Sequence, residues 1–218
     1  MNELNRHPSL KDIVTGLYQG RSLTRILMNF ELSKYKLIGK VVDIGGARNP
    51  DYYKYINIRE ATVEPLDGLI SGIDFEVDDL PYADKSIDSI VCCNLLEHIF
   101  DYNRLMKEMY RVLAPSGSVL GFVPFWTGFH PDPADYFRYT HQALEKICVN
   151  AGFSNVKITP LAQGPILANF NTIVLSVPKI LRPLFYIFYS TLNAAFIKLR
   201  PDSLRRHPLG YIFYMQKH

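Results

Sequence analysis

A chain of 218 residues with 48% hydrophobic and 21% charged residues has enough apolar material for one well-buried domain and is too apolar for a disordered protein. Its net charge of +3 is too small to argue for a nucleic-acid surface, and no nucleic-acid partner is expected. Cys92, Cys93 and Cys148, an adjacent pair and a distant third, form neither a zinc spacing nor a disulfide framework, so buried free thiols and no metal are expected.

In chain order, the polar start "MNELNRHPSLKDIV" lacks the apolar run of a signal peptide, which leads us to expect a cytoplasmic protein. Residues 1–37 read as a helical segment. Ser9 with Asp12 forms a capping-box pattern, Ile13, Val14, Leu17 and Tyr18 recur at helical spacing, and "SLTRILMNFELSKY" continues the pattern after Gly20. Residues 38–218 read as an α/β domain. Strands are expected at "KVVDIGG", "REATVEPLDG", "IDFEV", "SIDSIVCCN", "SVLGFVPF", "SNVKITPL" and "GYIFYMQK". Between them, "DYNRLMKEMYRVLAPSG" reads as a helix with Leu105, Met109, Val112 and Leu113 on its inner face. "THQALEKICVNAGF" reads as another, opened by Thr140 and closed by Gly152. Alternating strands and helices predict a mostly parallel sheet.

Residues 161 to about 208 break this rhythm with an apolar, aromatic stretch whose charges are almost all basic. It lies between the last two strands and reads as an insertion. Its longest uncharged runs are interrupted or shorter than the roughly 20 residues of a membrane span. Residues 179–200 set Lys179, Arg182, Lys198 and Arg200 around an aliphatic and aromatic centre. That pattern suits peripheral contact with an anionic membrane, a substrate lid or an oligomer interface.

The turn "VVDIGGARNP" puts flexible backbone at the carboxyl edge of the sheet, where open α/β sheets bind ligands. Asn49-Pro50-Asp51 has the chemistry of a helix start. Gly45 and Gly46 are adjacent, so the G-x-G-x-x-G dinucleotide spacing is absent, and Asp43 before the turn disfavours a pyrophosphate. Glu64, about twenty residues on, sits where an acid at a strand tip takes ribose hydroxyls. Asp78 or Asp79 could accept from an exocyclic amine, and Leu80 with Pro81 offers an apolar wall for a flat ring.

Together, "VVDIGG", "VEP", "DDLPYADKSIDSIVCCNLLEHI" and "RVLAPSGSVLGFVP" resemble the class I S-adenosylmethionine-dependent methyltransferases of the methyltransferase type 11 kind, over roughly residues 38 to 158 plus a last strand at 210 to 217. The resemblance implies a Rossmann-like sheet of seven strands with helices on both faces and the last strand antiparallel. It implies S-adenosyl-L-methionine as cofactor, with Asp43, Gly45 and Gly46 at its methionine end, Glu64 at the ribose, Asp78 and Leu80 at the adenine, and Asn94 near the sulfonium. The family's third glycine is replaced by Ala47-Arg48, and Glu76 competes with Asp78 for the adenine role. After the fifth strand, "PFWTGFHPDPADYFRYT" crowds His130, Asp132, Asp135, Tyr136, Arg138 and Tyr139 into one loop. His130 is the candidate base, with Asp135 and Arg138 either sharing the chemistry or stapling the loop. His98 reads as structural or pocket-lining. The acceptor expected is a small molecule or glycan, with a lipid-linked sugar hydroxyl the leading choice. A non-catalytic cofactor-binding scaffold is the alternative from another class.

Overall fold

The computed structural model describes residues 8–46 and 50–218. Ala47, Arg48 and the expected helix cap Asn49 lie outside the described residues. Two helices, α1 (Leu10–Tyr18) and α2 (Leu23–Leu32), lead into β1 (Gly39–Ile44). The Ser9 hydroxyl accepts from the Asp12 amide while the Asp12 carboxylate accepts from the Ser9 amide, so the capping box read from sequence is formed. A 3₁₀ turn at Asp51–Lys54 follows, with Pro50 flanking it rather than opening a longer helix. Then come β2 (Ala61–Leu66), α3 (Gly68–Ser71), β3 (Ile87–Cys93), a 3₁₀ turn at Leu96–His98, α4 (Tyr102–Val112) and β4 (Leu113–Pro124). The chain closes with α5 (His141–Asn150), β5 (Ser154–Ala162), α6 (Pro165–Ile173), α7 (Arg182–Leu199), α8 (Ser203–Arg206) and β6 (Pro208–Gln216).

The strands form one sheet in the order β2-β1-β3-β4-β6-β5. β2, β1, β3 and β4 run parallel to one another, and β6 runs antiparallel to both β4 and β5. The sheet has six strands among the described residues, because the strand expected at "IDFEV" is absent. The reason is Asp74. Its side chain accepts from the Glu76 amide at 2.9 Å, and its carbonyl accepts from the Val77 and Asp78 amides at 3.1 and 2.8 Å. An aspartate that satisfies the next amides locally competes with strand pairing.

Strand alternation divides the core into two faces. Val42, Ile44, Ile90 and Cys92 pack with Leu105 and Met109 of α4 and Leu144 and Cys148 of α5. Val41, Val91 and Cys93 pack with Leu17, Leu27 and Leu32 of the N-terminal helices and Phe170 of α6. Period-two geometry thus sends adjacent Cys92 and Cys93 to opposite layers, and all three cysteines are free and buried. The chain leaves β1 for β2 on one side and returns to β3 on the other, so a switch-point crevice opens at the carboxyl ends of β1 and β3.

Candidate active site

Gly45 turns out of β1 with φ +76°, and a Cβ there would sit 2.9 Å from Leu95 Cδ1. Glycine is what lets the two strand ends approach across the switch point. A Cβ on Gly46 would collide with the Asp43 carboxylate. Asp43 is fully buried, and its Oδ2 accepts from the hydroxyls of Tyr52 at 2.6 Å and Tyr53 at 2.8 Å, while Oδ1 has no partner among the described residues. Burial pushes its pKa up to about 6, and the two hydroxyls pull the other way. An acid before a glycine turn suits an ammonium group or loop amides, yet the partners here are tyrosine hydroxyls. The tyrosines were missed because they lie in a stretch read only as a helix start.

On the next strand Glu64 is exposed and accepts from the Tyr82 hydroxyl at 2.9 Å. Leu80 is buried, and Asp78 and Asp79 are exposed. Asp78 Oδ2 accepts from the Asp74 amide, Asp79 pairs with Arg104, and Glu76 accepts from the Phe100 and Asp101 amides at the entry to α4. Asn94 follows β3 with φ +54° and its amide donates to the Phe122 carbonyl, holding the ends of β3 and β4 together.

Asn94 and His130 line a cleft of about 350 Å³ with Arg25 and Met28 of α2, Asn171 of α6 and Leu175 just after it. The loop after β4 forms one wall. The Arg138 guanidinium grips both Asp135 oxygens at 2.6 and 2.7 Å and donates to the Gly128 and Phe137 carbonyls. Asp135 Oδ2 also accepts from the His130 amide, and these bonds hold its carboxyl far below the usual carboxylate range. The pair therefore positions the loop that carries His130. The Tyr136 and Phe137 amides donate to the Glu97 carbonyl, docking that loop on the Leu96–His98 turn. Asp132 N–H donates to the Ala134 carbonyl within the loop, and buried Tyr139 donates its hydroxyl to the Leu96 carbonyl. At the loop's start, the Trp126 amide donates to the Leu209 carbonyl, and its ring stands edge-on to His207 with centroids 5.7 Å apart.

The loop and turn bring together a group that the sequence did not assemble. Glu97 is fully buried, and neither of its carboxyl oxygens has a hydrogen-bond partner among the described residues. Its Oε1 lies 3.7 Å from His98 Nε2 and 3.9 Å from His130 Nε2. Burial raises its pKa to about 8, against a downward pull from Arg138. The sequence signal was a carboxylate inside the apolar run "LLEHI", but His130 lies too far along the chain for spacing to pair them.

Residues 51–121 match the family model described as a methyltransferase domain. A probable S-adenosylmethionine-dependent methyltransferase of Mycobacterium tuberculosis is 29% identical over 99 residues, 43% of this chain and 36% of that protein. The chain thus aligns with about a third of that relative's length. Among solved structures, the [4+2]-cyclase SpnF superposes with a TM-score of 0.53 at 13% identity, covering 96% of this chain and 95% of that one. Phosphoethanolamine N-methyltransferase 2 of Haemonchus contortus, in complex with S-adenosyl-L-methionine, gives a TM-score of 0.51 at 16% identity over 87% of this chain and 52% of that one. These similarities show that the fold is shared. The cyclase in the set illustrates that fold alone does not fix the reaction.

Proposed function

We propose, from the matched segment and the shared fold, that the chain is a class I S-adenosylmethionine-dependent methyltransferase and that it transfers a methyl group from S-adenosyl-L-methionine to a hydroxyl of a sugar carried on a lipid. The residues at the switch point fit that cofactor. Gly45 and Gly46 leave backbone bare at the tip of β1, the orphaned Oδ1 of Asp43 is an acceptor awaiting a donor, and Glu64 offers an exposed carboxylate on the neighbouring strand. The family resemblance assigns Asp78 and Leu80 to the adenine and Asn94, which lines the cleft, to the reacting end.

The bound sulfonium supplies an already activated methyl, so the protein's work is alignment. The cleft beside Asn94 receives the acceptor. The 2.8 Å contact of His130 Nδ1 with the Gly128 carbonyl is shorter than its 3.4 Å contact with Arg138 and makes Nδ1 the protonated nitrogen. Nε2 then carries the lone pair that accepts the acceptor's hydroxyl proton. Asp135 and Arg138 act through the loop as positioning residues.

The observation that carries the lipid-borne acceptor is α7, whose polarity is reversed. Arg182, Tyr186 and Asn193 face the protein, while Leu184, Ile187, Phe188, Leu192 and Leu199 are exposed. Arg182 donates to the Leu175 and Val177 carbonyls, and Asn193 satisfies the first amides of α6. No acid occurs between Glu145 and Asp202. Among the described residues, no helix is long and apolar enough to cross a membrane. An exposed apolar face with basic flanks suits lying on an anionic surface at the inner membrane face.

Incubating the chain with labelled cofactor and membrane-extracted lipid-linked sugars tests the reading. His130→Ala lowers transfer by roughly 10²–10⁴-fold and leaves affinity for S-adenosylhomocysteine unchanged. Equal turnover by mutant and parent would remove His130 from the chemistry. Cofactor binding without transfer to any acceptor would leave a cofactor-binding scaffold instead.

A further inference from the structure

The cluster of Glu97, His98 and His130 has the construction of a cation site. One donor atom from each lies within 4.8 Å of the other two. Both imidazoles are oriented by backbone carbonyls: His98 Nδ1 meets the Ala134 carbonyl and His130 Nδ1 meets the Gly128 carbonyl. Each ring so held is protonated at Nδ1 and presents a bare Nε2, the arrangement that outer partners impose on metal-bound histidines. Both Nε2 atoms face the same oxygen of Glu97.

Glu97 is the second, independent observation. A carboxyl group with no exposure and no hydrogen bond on either oxygen among the described residues is costly to ionise in place, and a cation beside it would hold it in the charged, ligating form. No described cation fills that place. Arg138 is committed to Asp135, Gly128 and Phe137, and the basic side-chain nitrogens within 4.0 Å of Glu97 among the described residues are Nε2 of His98 and of His130. Loop and turn are also docked to each other independently of any ion, through the Tyr136 and Phe137 amides on the Glu97 carbonyl, so the donors are held in place beforehand.

We infer that Glu97, His98 and His130 bind one divalent first-row transition cation. Two imidazoles and one carboxylate form a donor set typical of Zn²⁺ sites that keep an open position. Bonds of about 2.0–2.1 Å would require the three donors to close inward by only about half an ångström each. His130 lines the cleft beside Asn94, so the open position faces the space assigned to the acceptor. There the cation would bind an acceptor oxygen and lower its pKa, a role that rests on the transfer reading, whereas the binding itself does not. With the ion in place, Nε2 of His130 is a ligand, and the ion takes over the activation otherwise assigned to the imidazole.

The test is calorimetric titration of the chelator-treated full chain with ZnCl₂ and, separately, MnCl₂, with no cofactor or acceptor present. The expected result is one saturable equivalent of at least one of the two ions, weakened at least tenfold in both Glu97→Gln and His130→Ala and unchanged in His141→Ala. Glu97→Gln keeps the side chain's shape and His130→Ala lies on a half-exposed loop, and a native circular dichroism spectrum establishes that each is folded. Co²⁺ in place of Zn²⁺ would add visible d–d bands that vanish in the same two variants. Absence of a saturable equivalent with both ions, or equal affinity in parent, Glu97→Gln and His130→Ala, would overturn the site. Intact cation binding with no methyl transfer would count against the proposed reaction and leave the site standing.

Discussion

Asp43 carries two tyrosine hydroxyls on one oxygen and, among the described residues, no partner on the other. Its folded pKa of about 6 lies above that of an ordinary aspartate, so the folded chain holds the proton more tightly than the unfolded one. The group's contribution is therefore most favourable below about pH 4 and is lost as pH rises through about 6, a change on the order of 3 kcal/mol. Scanning calorimetry across pH 4 to 7 should show that Asp43→Asn removes part of this dependence, with its gain over the parent largest at neutral pH. An unchanged profile would mean the carboxylate is solvated more than its burial implies. Tyr53→Phe removes one of the two donors and should cost about 1–3 kcal/mol, measured by denaturant melts at pH 7. Asp43 itself was legible as the acid before a glycine turn. Its tyrosine partners were not, because nothing in local spacing says that side chains nine and ten residues on will fold back over the strand tip.

Among the elements, helix ends follow local chemistry closely. Thr140 accepts from the Ala143 amide as N-cap of α5, and Gly152 takes φ +96° just past its end, both as read from sequence. Thr140→Ala should lower stability by about 1 kcal/mol, read from a thermal or urea melt. The "IDFEV" strand was misread because alternation was weighed above the local bonds of Asp74. The Glu97 group was illegible for a different reason: it joins a 3₁₀ turn after β3 to a loop after β4, and only the sheet brings those two ends side by side. α7 was legible as apolar with basic flanks, but which face it buries depends on the carbonyls of residues 175 and 177 that Arg182 meets. Leu184→Glu and Phe188→Glu should sharply reduce co-sedimentation with anionic vesicles while leaving the melting temperature unchanged, because both side chains are exposed.

At the scale of the molecule, the sheet separates two apolar layers, and the cleft opens where its carboxyl edge meets α2, α6 and the loop after β4. The layered architecture was legible from the alternation of strands and helices, and the antiparallel last strand from the family resemblance. Net charge is only +3, so any pull toward an anionic surface must come from the local excess of Lys and Arg in the insertion. Vesicle binding should accordingly weaken when ionic strength rises or when anionic lipid is replaced by zwitterionic lipid. Binding that ignores both would point to a purely apolar contact, such as one between two copies of α7.

Trp126 gives the protein a reporter of its own. It is the only tryptophan in the chain and stands at the root of the loop that runs through Thr127 to His130 along the cleft wall. Its ring also touches His207, at the junction between the inserted helices and β6. Indole emission responds to changes in local polarity and to a nearby protonated imidazole. Intrinsic fluorescence should therefore report acceptor entry, the proposed cation and the proposed settling of α7 on a lipid surface without any attached dye.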